Sequence, residues 1–336
     1  MTVTIDTEED DWGCYFPTHA GTRNIAKLTD VQEVFDRWGV RPTLVVTHAT
    51  LEDAASVAVL GTLADRDDVE IGAHCHPWNT PPLASGRPGS MMSSLDADVN
   101  AKKLAVLTER IRFELGVSPR VFRAGRWGFG PSVARPLCDL GYEVDASVSP
   151  FLDWSAMGGP DYSSAPHLPY HFWPDEPLRP AADGPLLELP TTVGFTIPWQ
   201  RPAAWVRTGL ERRALARATG MVGALDRVGV LTRRWLSPEL ATTAEMIRVS
   251  ESCARGGQQL LAMTFHSPSL FAGLTPFVRS TLDRERFIRR IDDYLRFCGE
   301  SGFEFVTLSE AARLVKSGVI PASTPSETPS PAPSSP

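Results

Sequence analysis

The chain has no apolar run of about 18 residues, the length a membrane-spanning helix needs. It has no CxxC pair either. Cys14, Cys75, Cys138, Cys253 and Cys298 are scattered and odd in number, which points to a reducing, cytoplasmic compartment and away from a disulfide framework. Positive charge is scarce: 33 Lys and Arg against 40 Asp and Glu give a net charge of −7, which argues against nucleic acid as a partner. The first residues show no basic segment followed by an apolar stretch, so no signal peptide is expected. Neither GxGxxG nor GxxxxGKS/T follows the first strand candidate, which counts against a dinucleotide-binding or P-loop fold.

What remains is an ordinary globular composition, 42% hydrophobic and 22% charged over 336 residues. Short apolar segments at 3–6, 43–47, 69–73, 121–123, 144–147, 186–189, 260–265 and 303–306 alternate with helical patterns. The clearest helix covers 98–115, with Val99, Leu104, Leu107, Ile111 and Leu115 on one face and Gly116 as its stop. Others cover 24–38, closed by Gly39, then 51–64, a segment opened by Pro131 and closed by Gly141, and 281–298. Repeated strand–helix units predict an α/β fold with a parallel sheet, closed or nearly closed into a barrel of about seven strands. A doubly wound open sheet is the alternative.

The expected layout is a single domain over residues 1–318 and a Pro/Ser/Thr-rich disordered tail over 319–336. Residues 153–240 interrupt the barrel pattern. They hold a Pro-, Gly- and aromatic-rich loop (153–184) and a helical insertion (201–235) with eight arginines against Glu211 and Asp226. That stretch reads as a solvated helical face, or as a basic patch for peripheral contact with anionic lipid, a phosphorylated glycan or a partner.

Chemistry-bearing residues gather where strands end. His74 and His76 lie two apart, so on an extended chain both imidazoles leave the same face and can converge on one metal ion. Cys75 between them turns to the opposite face and reads as packed. Asp6 and Glu8 repeat that spacing at the end of the first strand, whereas Glu9, Asp10 and Asp11 read as an acidic loop. A carboxylate beside two histidines makes a site for a divalent metal, zinc first, with iron, manganese or cobalt also compatible. Arg123, Asp145 and His266 end three further strands. Arg123 could hold a carboxylate ionised, and Asp145 could pair with His266 and fit it to act as an acid.

Together these segments resemble the polysaccharide deacetylase family, the metal-dependent carbohydrate esterases (family four-like) that share the chitooligosaccharide deacetylase homology domain. Thr4-Ile5-Asp6-Thr7-Glu8 is similar to the first family motif, Gly72-Ala73-His74-Cys75-His76-Pro77 to the second, and Phe122-Arg123-Ala124-Gly125-Arg126-Trp127 to the third. Asp145-Ala146-Ser147 and Met263-Thr264-Phe265-His266 resemble the fourth and fifth. The family usually has adjacent aspartates in the first motif and histidines four apart in the second. The DxE and HxH spacings here look like its intracellular branch.

The resemblance implies a distorted (β/α) barrel of the glycoside hydrolase/deacetylase type and a hydrolase acting on non-peptide carbon–nitrogen bonds. Glu8, His74 and His76 would hold the metal. Asp6, oriented by Arg123, would be the base, and His266, partnered by Asp145, the acid. The activity implied is removal of an acetyl group, N-acetyl before O-acetyl, from a carbohydrate, including nucleotide- or lipid-linked sugars. Trp78, Arg126 and Trp127 are candidate substrate contacts, and at least half of Trp12, Trp78, Trp127 and Trp154 are expected in the core. The competing readings are a metal-dependent amidohydrolase on a non-sugar C–N bond and a catalytically inactive glycan-binding relative.

Overall fold

The computed structural model describes residues 1–16, 21–83, 89–212 and 231–324. Its strands are β1 (Thr2–Thr7), β2 (Thr43–Val46), β3 (Glu70–Cys75), β4 (Val121–Ala124), β5 (Val144–Asp145), β6 (Tyr170–Phe172), β7 (Leu186–Glu188), β8 (Val193–Phe195), β9 (Arg233–Trp235) and β10 (Ala262–His266). Helices α1 (Leu28–Trp38), α2 (Ala54–Ala64), α3 (Ala97–Leu115) and α4 (Pro131–Asp139) join β1 through β5. Later come α5 (Gln200–Arg212), α6 (Thr243–Arg255), α7 (Thr281–Glu300) and α8 (Leu308–Lys316).

The main sheet has the order β10-β1-β2-β3-β4-β5-β7-β6. Seven strands are parallel, and β6 closes one edge antiparallel to β7. Apart from β10, the parallel strands follow one another in chain order, with no reversal. That excludes the doubly wound alternative, which needs a switch point. The sheet curls into a half-closed barrel. Past β7 the chain crosses toward β10, where Ala262 N–H donates to Thr192 Oγ1 at 2.8 Å and Thr192 N–H to the Ala262 carbonyl at 3.3 Å.

Both faces of the sheet are covered, which explains why its strands read as short continuous apolar runs. Val3, Ile5, Leu44, Val46, Ile71, Ala73, Phe122, Met263 and Phe265 pack on one face, with side chains of α1, α3, α4 and α7. Val121, Val144, Ala146, Leu187 and Leu189 pack on the other, against Leu308, Ala311, Ala312 and Val315 of α8. Strand alternation assigns Asp6, His74, Arg123 and His266 to this second face.

Three local expectations change. Residues 303–306 form no strand; Val306 N–H donates once, to the Met1 carbonyl, and no ladder follows. The packed chain also continues beyond residue 318. Ile320 is buried and Ser323 N–H bonds the Pro169 carbonyl at 2.7 Å, while the rest of the expected tail, 325–336, lies outside the described residues. In the arginine-rich insertion, α5 is helical and Arg233–Trp235 forms an antiparallel ribbon with β8; residues 213–230 lie outside the described residues.

Candidate active site

Register places the site. β1 and β10 pair with Asp6 beside His266, and β3 and β4 pair with His74 beside Arg123. All four stand at the C-terminal ends of parallel strands, the edge where barrel side chains converge.

The arginine anchors the arrangement. Arg123 is 1% exposed; its Nη1 donates to Asp6 Oδ1 at 2.5 Å and to Thr264 Oγ1 at 3.0 Å, and its Nε to the Ala146 carbonyl at 2.9 Å. Burial alone would raise the pKa of Asp6. Arg123, His74 and His266 outweigh it and hold the carboxyl below its ordinary range. The second oxygen, Oδ2, stands 3.9 Å from His74 Nε2 and 3.6 Å from His266 Nε2.

Beside Asp6, the two histidines and Glu8 form a compact donor set. His74 Nδ1 donates to the Arg123 carbonyl at 2.9 Å and His76 Nδ1 to Glu9 Oε1 at 2.8 Å. Both partners only accept, so each Nδ1 carries a hydrogen and each Nε2 is the atom turned toward Glu8, free to bind a metal or, at His76 without one, to carry a proton. Those Nε2 atoms lie 3.0 Å apart, at 3.5 and 3.2 Å from Glu8 Oε2. Three lone-pair atoms facing one another repel unless a positive centre lies among them. Among the described residues this is the one group of three His, Cys, Asp or Glu side chains able to hold an ion, with ligand atoms within 4.8 Å of one another. Two imidazoles and a carboxylate suit zinc or another borderline divalent metal. Charge agrees: Asp6, Glu8, Glu9 and Glu239 against Arg123 leave −3, which a divalent cation and one imidazolium would neutralise. Without a metal, Glu9 and Glu8 overcome the effect of burial and push His76 up to about 10.

His266 has a different partner from the one expected. Its Nδ1 donates to Glu239 Oε2 at 2.9 Å, and its backbone N–H to Glu239 Oε1 at 3.1 Å. Burial disfavours the imidazolium, but Glu239, Glu8 and Asp6 favour it and raise the pKa to about 10. Asp145 does not reach His266. It pairs in register with Phe122, so it occupies the face opposite Arg123. There it accepts from Ser147 Oγ at 2.6 Å and lies in register with Glu188. Burial pushes Asp145 up to about 6 and Glu188 well above its ordinary value, so the two buried carboxyls hold a proton between them.

The other acids divide as well. Glu9 is buried and engaged with His76, Trp78, Asn79 and Thr47, so it is not part of a solvated loop. Asp10 does keep a loop role, tying down Arg23 and Asn24. Cys75 is packed as expected, fully buried, with burial raising its thiol to about 12.

A cavity of about 330 Å³ opens over the donor set. Seven aromatic side chains stand in its walls: Trp12, Tyr15, Trp78, Trp127, Trp154, Trp235 and Phe277. Trp78 and Trp127 are buried, and Trp12 stands edge-on to His266 at 4.7 Å. Trp78 stacks on His76 at 4.1 Å. Arg126 also lines the cavity, but its guanidinium is spent on Ser90 and lies 4.3 Å over the Tyr15 ring. Arg126 and Trp127 both have positive φ (53° and 60°), a conformation that costs side-chain-bearing residues about 1–3 kcal/mol each. The Trp127 carbonyl is held by Tyr162 Oη at 2.7 Å, which helps fix that turn.

Trp235, Glu239 and Leu240 reach the cavity from the insertion, where no motif marks them. Only their nearness in sequence to an aromatic- and arginine-rich stretch could have drawn notice.

No protein-family model and no curated protein matches the chain. Solved structures do. A Mycobacterium smegmatis protein assigned to the polysaccharide deacetylases aligns over 96% of this chain and 93% of its own, at 15% identity and a TM-score of 0.52. A family 4 acetyl xylan esterase from Clostridium thermocellum, solved with a cobalt ion, aligns over 98% and 95% at 14% identity and a TM-score of 0.44. A CE4 family pseudoenzyme from Bacillus anthracis aligns over 92% and 63% at 10% identity and a TM-score of 0.44. At these identities the likeness is one of fold: this chain has the curled (β/α) barrel seen in a protein assigned to the polysaccharide deacetylases.

Proposed function

We propose that the protein is a metal-dependent hydrolase that removes an acetyl group, N-acetyl first, from a sugar or glycan precursor. One observation carries the reading: a Glu8–His74–His76 donor set lies beside a carboxylate held ionised (Asp6) and an imidazole held protonated (His266), themselves 3.6 Å apart. Paired groups whose environments drive them to opposite protonation states are the mark of acid–base chemistry.

A divalent cation on these three ligands, zinc by their chemistry, would polarise the acyl oxygen and acidify water. The protein's own groups do the rest. Arg123 occupies Asp6 Oδ1 and leaves Oδ2 free to take a proton from the attacking water. His266, charge-balanced by Glu239, gives its proton to the leaving nitrogen as the C–N bond breaks, so acetate and an amine result. The aromatic walls stack on the sugar ring and shield the reacting carbonyl from bulk water. A cytoplasmic setting, and with it nucleotide- or lipid-linked precursors, belongs to the same proposal. Five free thiols support it.

The aromatic lining favours one second reading, hydrolysis of a non-sugar amide. Acetate release by metal-reconstituted protein separates the two. The panel holds free, nucleotide-linked and lipid-linked N-acetyl sugars, O-acetyl sugars and aryl acetamides. Release from a sugar supports the first reading, and release from aryl acetamides alone supports the second. Silence throughout sinks both and leaves an inactive relative.

A further inference from the structure

We propose that Glu9 is a positioning residue of the metal centre, fixing the tautomer and ring plane of His76 and tying that ligand to the Trp78 wall of the cavity. The proposal rests on the reading that Glu8, His74 and His76 hold a cation.

Glu9 is 5% exposed, and four side chains from the two segments that follow β2 and β3 converge on its carboxylate. Oε1 accepts from His76 Nδ1 at 2.8 Å, Trp78 Nε1 at 3.2 Å and Asn79 Nδ2 at 2.7 Å; Oε2 accepts from Thr47 Oγ1 at 3.3 Å. None of these donors is a lysine or arginine. A buried carboxylate without such a partner needs positive charge nearby, and the one group that can transmit it here is the His76 ring. That is the carboxylate–histidine–metal relay, in which the outer carboxylate makes the imidazole a stronger, better-aimed ligand.

The two histidines are therefore unequal. His74 leans on a neutral carbonyl, and His76 leans on a carboxylate. The His76 ring is also gripped on both sides. Trp78 stacks on it, and Gly125 presses so close that a Cβ there would lie 2.6 Å from His76 Cδ2. Because Glu9 also accepts from the Trp78 indole, one carboxylate sets both a metal ligand and a wall of the substrate cavity. Glu8 and Glu9 thus divide the work of one acidic pair: Glu8 faces the ion and Glu9 backs its ligand.

The test is calorimetric titration of chelator-stripped protein with Zn²⁺, with the visible spectrum of the Co²⁺ form as a second readout. Wild type binds one equivalent. Glu9→Gln still binds one equivalent, with Kd raised about 10- to 100-fold and an altered Co²⁺ spectrum. Glu9→Asp, which keeps the charge and pulls it back by one methylene, falls between them. It also serves if Glu9→Gln does not fold. Glu33→Gln, the same change at an exposed carboxylate of α1 outside the cluster, matches wild type in both readouts. If wild type binds but both Glu9 variants bind within twofold of it, or if Glu33→Gln weakens binding as much, the assignment of Glu9 is overturned. If wild type binds no metal, the hydrolase reading falls and takes this assignment with it.

Discussion

In the proposed mechanism Glu239 is what fits His266 to act as an acid. It bonds both the ring and the backbone of that residue, and Ser269 Oγ fixes the same carboxylate at 2.5 Å. Removing its charge should lower the His266 pKa and cost turnover on the scale of general acid catalysis. Steady-state assays of Glu239→Gln should show kcat down about 10²-fold with KM little changed. Asp145→Asn should keep kcat within about threefold, because Asp145 faces away from Arg123. Equal losses in the two variants would restore Asp145 to the acid's partnership. Residues on strand-end motifs (Asp6, Glu8, His74, His76, Arg123 and His266) were legible as a converging cluster. Spacing and strand alternation give side chains a common direction before any fold is known. Glu239 was not, since nothing local marks a loop glutamate that meets a histidine 27 residues later. Asp145 misled for a related reason: a one-residue step in register moves a side chain to the other face of a sheet, and register is not written in a two-residue strand.

Among elements, the turn after β4 carries a tight steric demand right beside the donor set. Gly125 packs against His76 Cδ2 and the Cys75 carbonyl, where a Cβ would sit at 2.6 and 2.7 Å. Backbone cannot yield cheaply there. Gly125→Ala should cost about 1–3 kcal/mol by overpacking, read by urea unfolding, and should weaken metal binding by displacing His76. Wild-type stability together with wild-type metal affinity would show that the turn is not what seats the ring. Long elements were legible in the sequence. α1 ends at Gly39 in a left-handed cap, and α3 spans Ala97–Leu115 and stops at Gly116, because apolar periodicity and capping residues act locally. The three-residue strands β6, β8 and β9 were not legible. Their pairing depends on distant partners, and three residues show no period. Residues 303–306 erred the other way, being apolar enough for a strand but placed where they bond only the first residue of the chain, at Glu304 and Val306, and no ladder forms.

At the scale of the whole molecule, the barrel stores an uncompensated acidic pair in its wall. Asp145 binds its proton more tightly folded than unfolded, with burial raising it from 3.8 to about 6. Such a group adds stability below its unfolded pKa, and that contribution is lost as pH rises through about 6. Relative to wild type, Asp145→Asn should therefore gain stability as pH rises from 4 to 7, measured by denaturant unfolding at each pH. A stability difference that stays flat across that window would mean the pair is already satisfied when ionised. The barrel itself was legible from alternating strands and helices, and the strand order decided it against an open sheet. The way it closes was not, because Thr192, past β7, meets Ala262 of β10 from a segment with no strand pattern.

Under the proposed function the strand-end cluster is a one-metal hydrolytic centre. Metal content and acetate release from N-acetyl sugars are to be followed on one sample through chelation and Zn²⁺ return. Release should disappear with the metal and return in proportion to occupancy up to one equivalent. Release that persists in fully stripped protein, or that ignores occupancy, would contradict that reading.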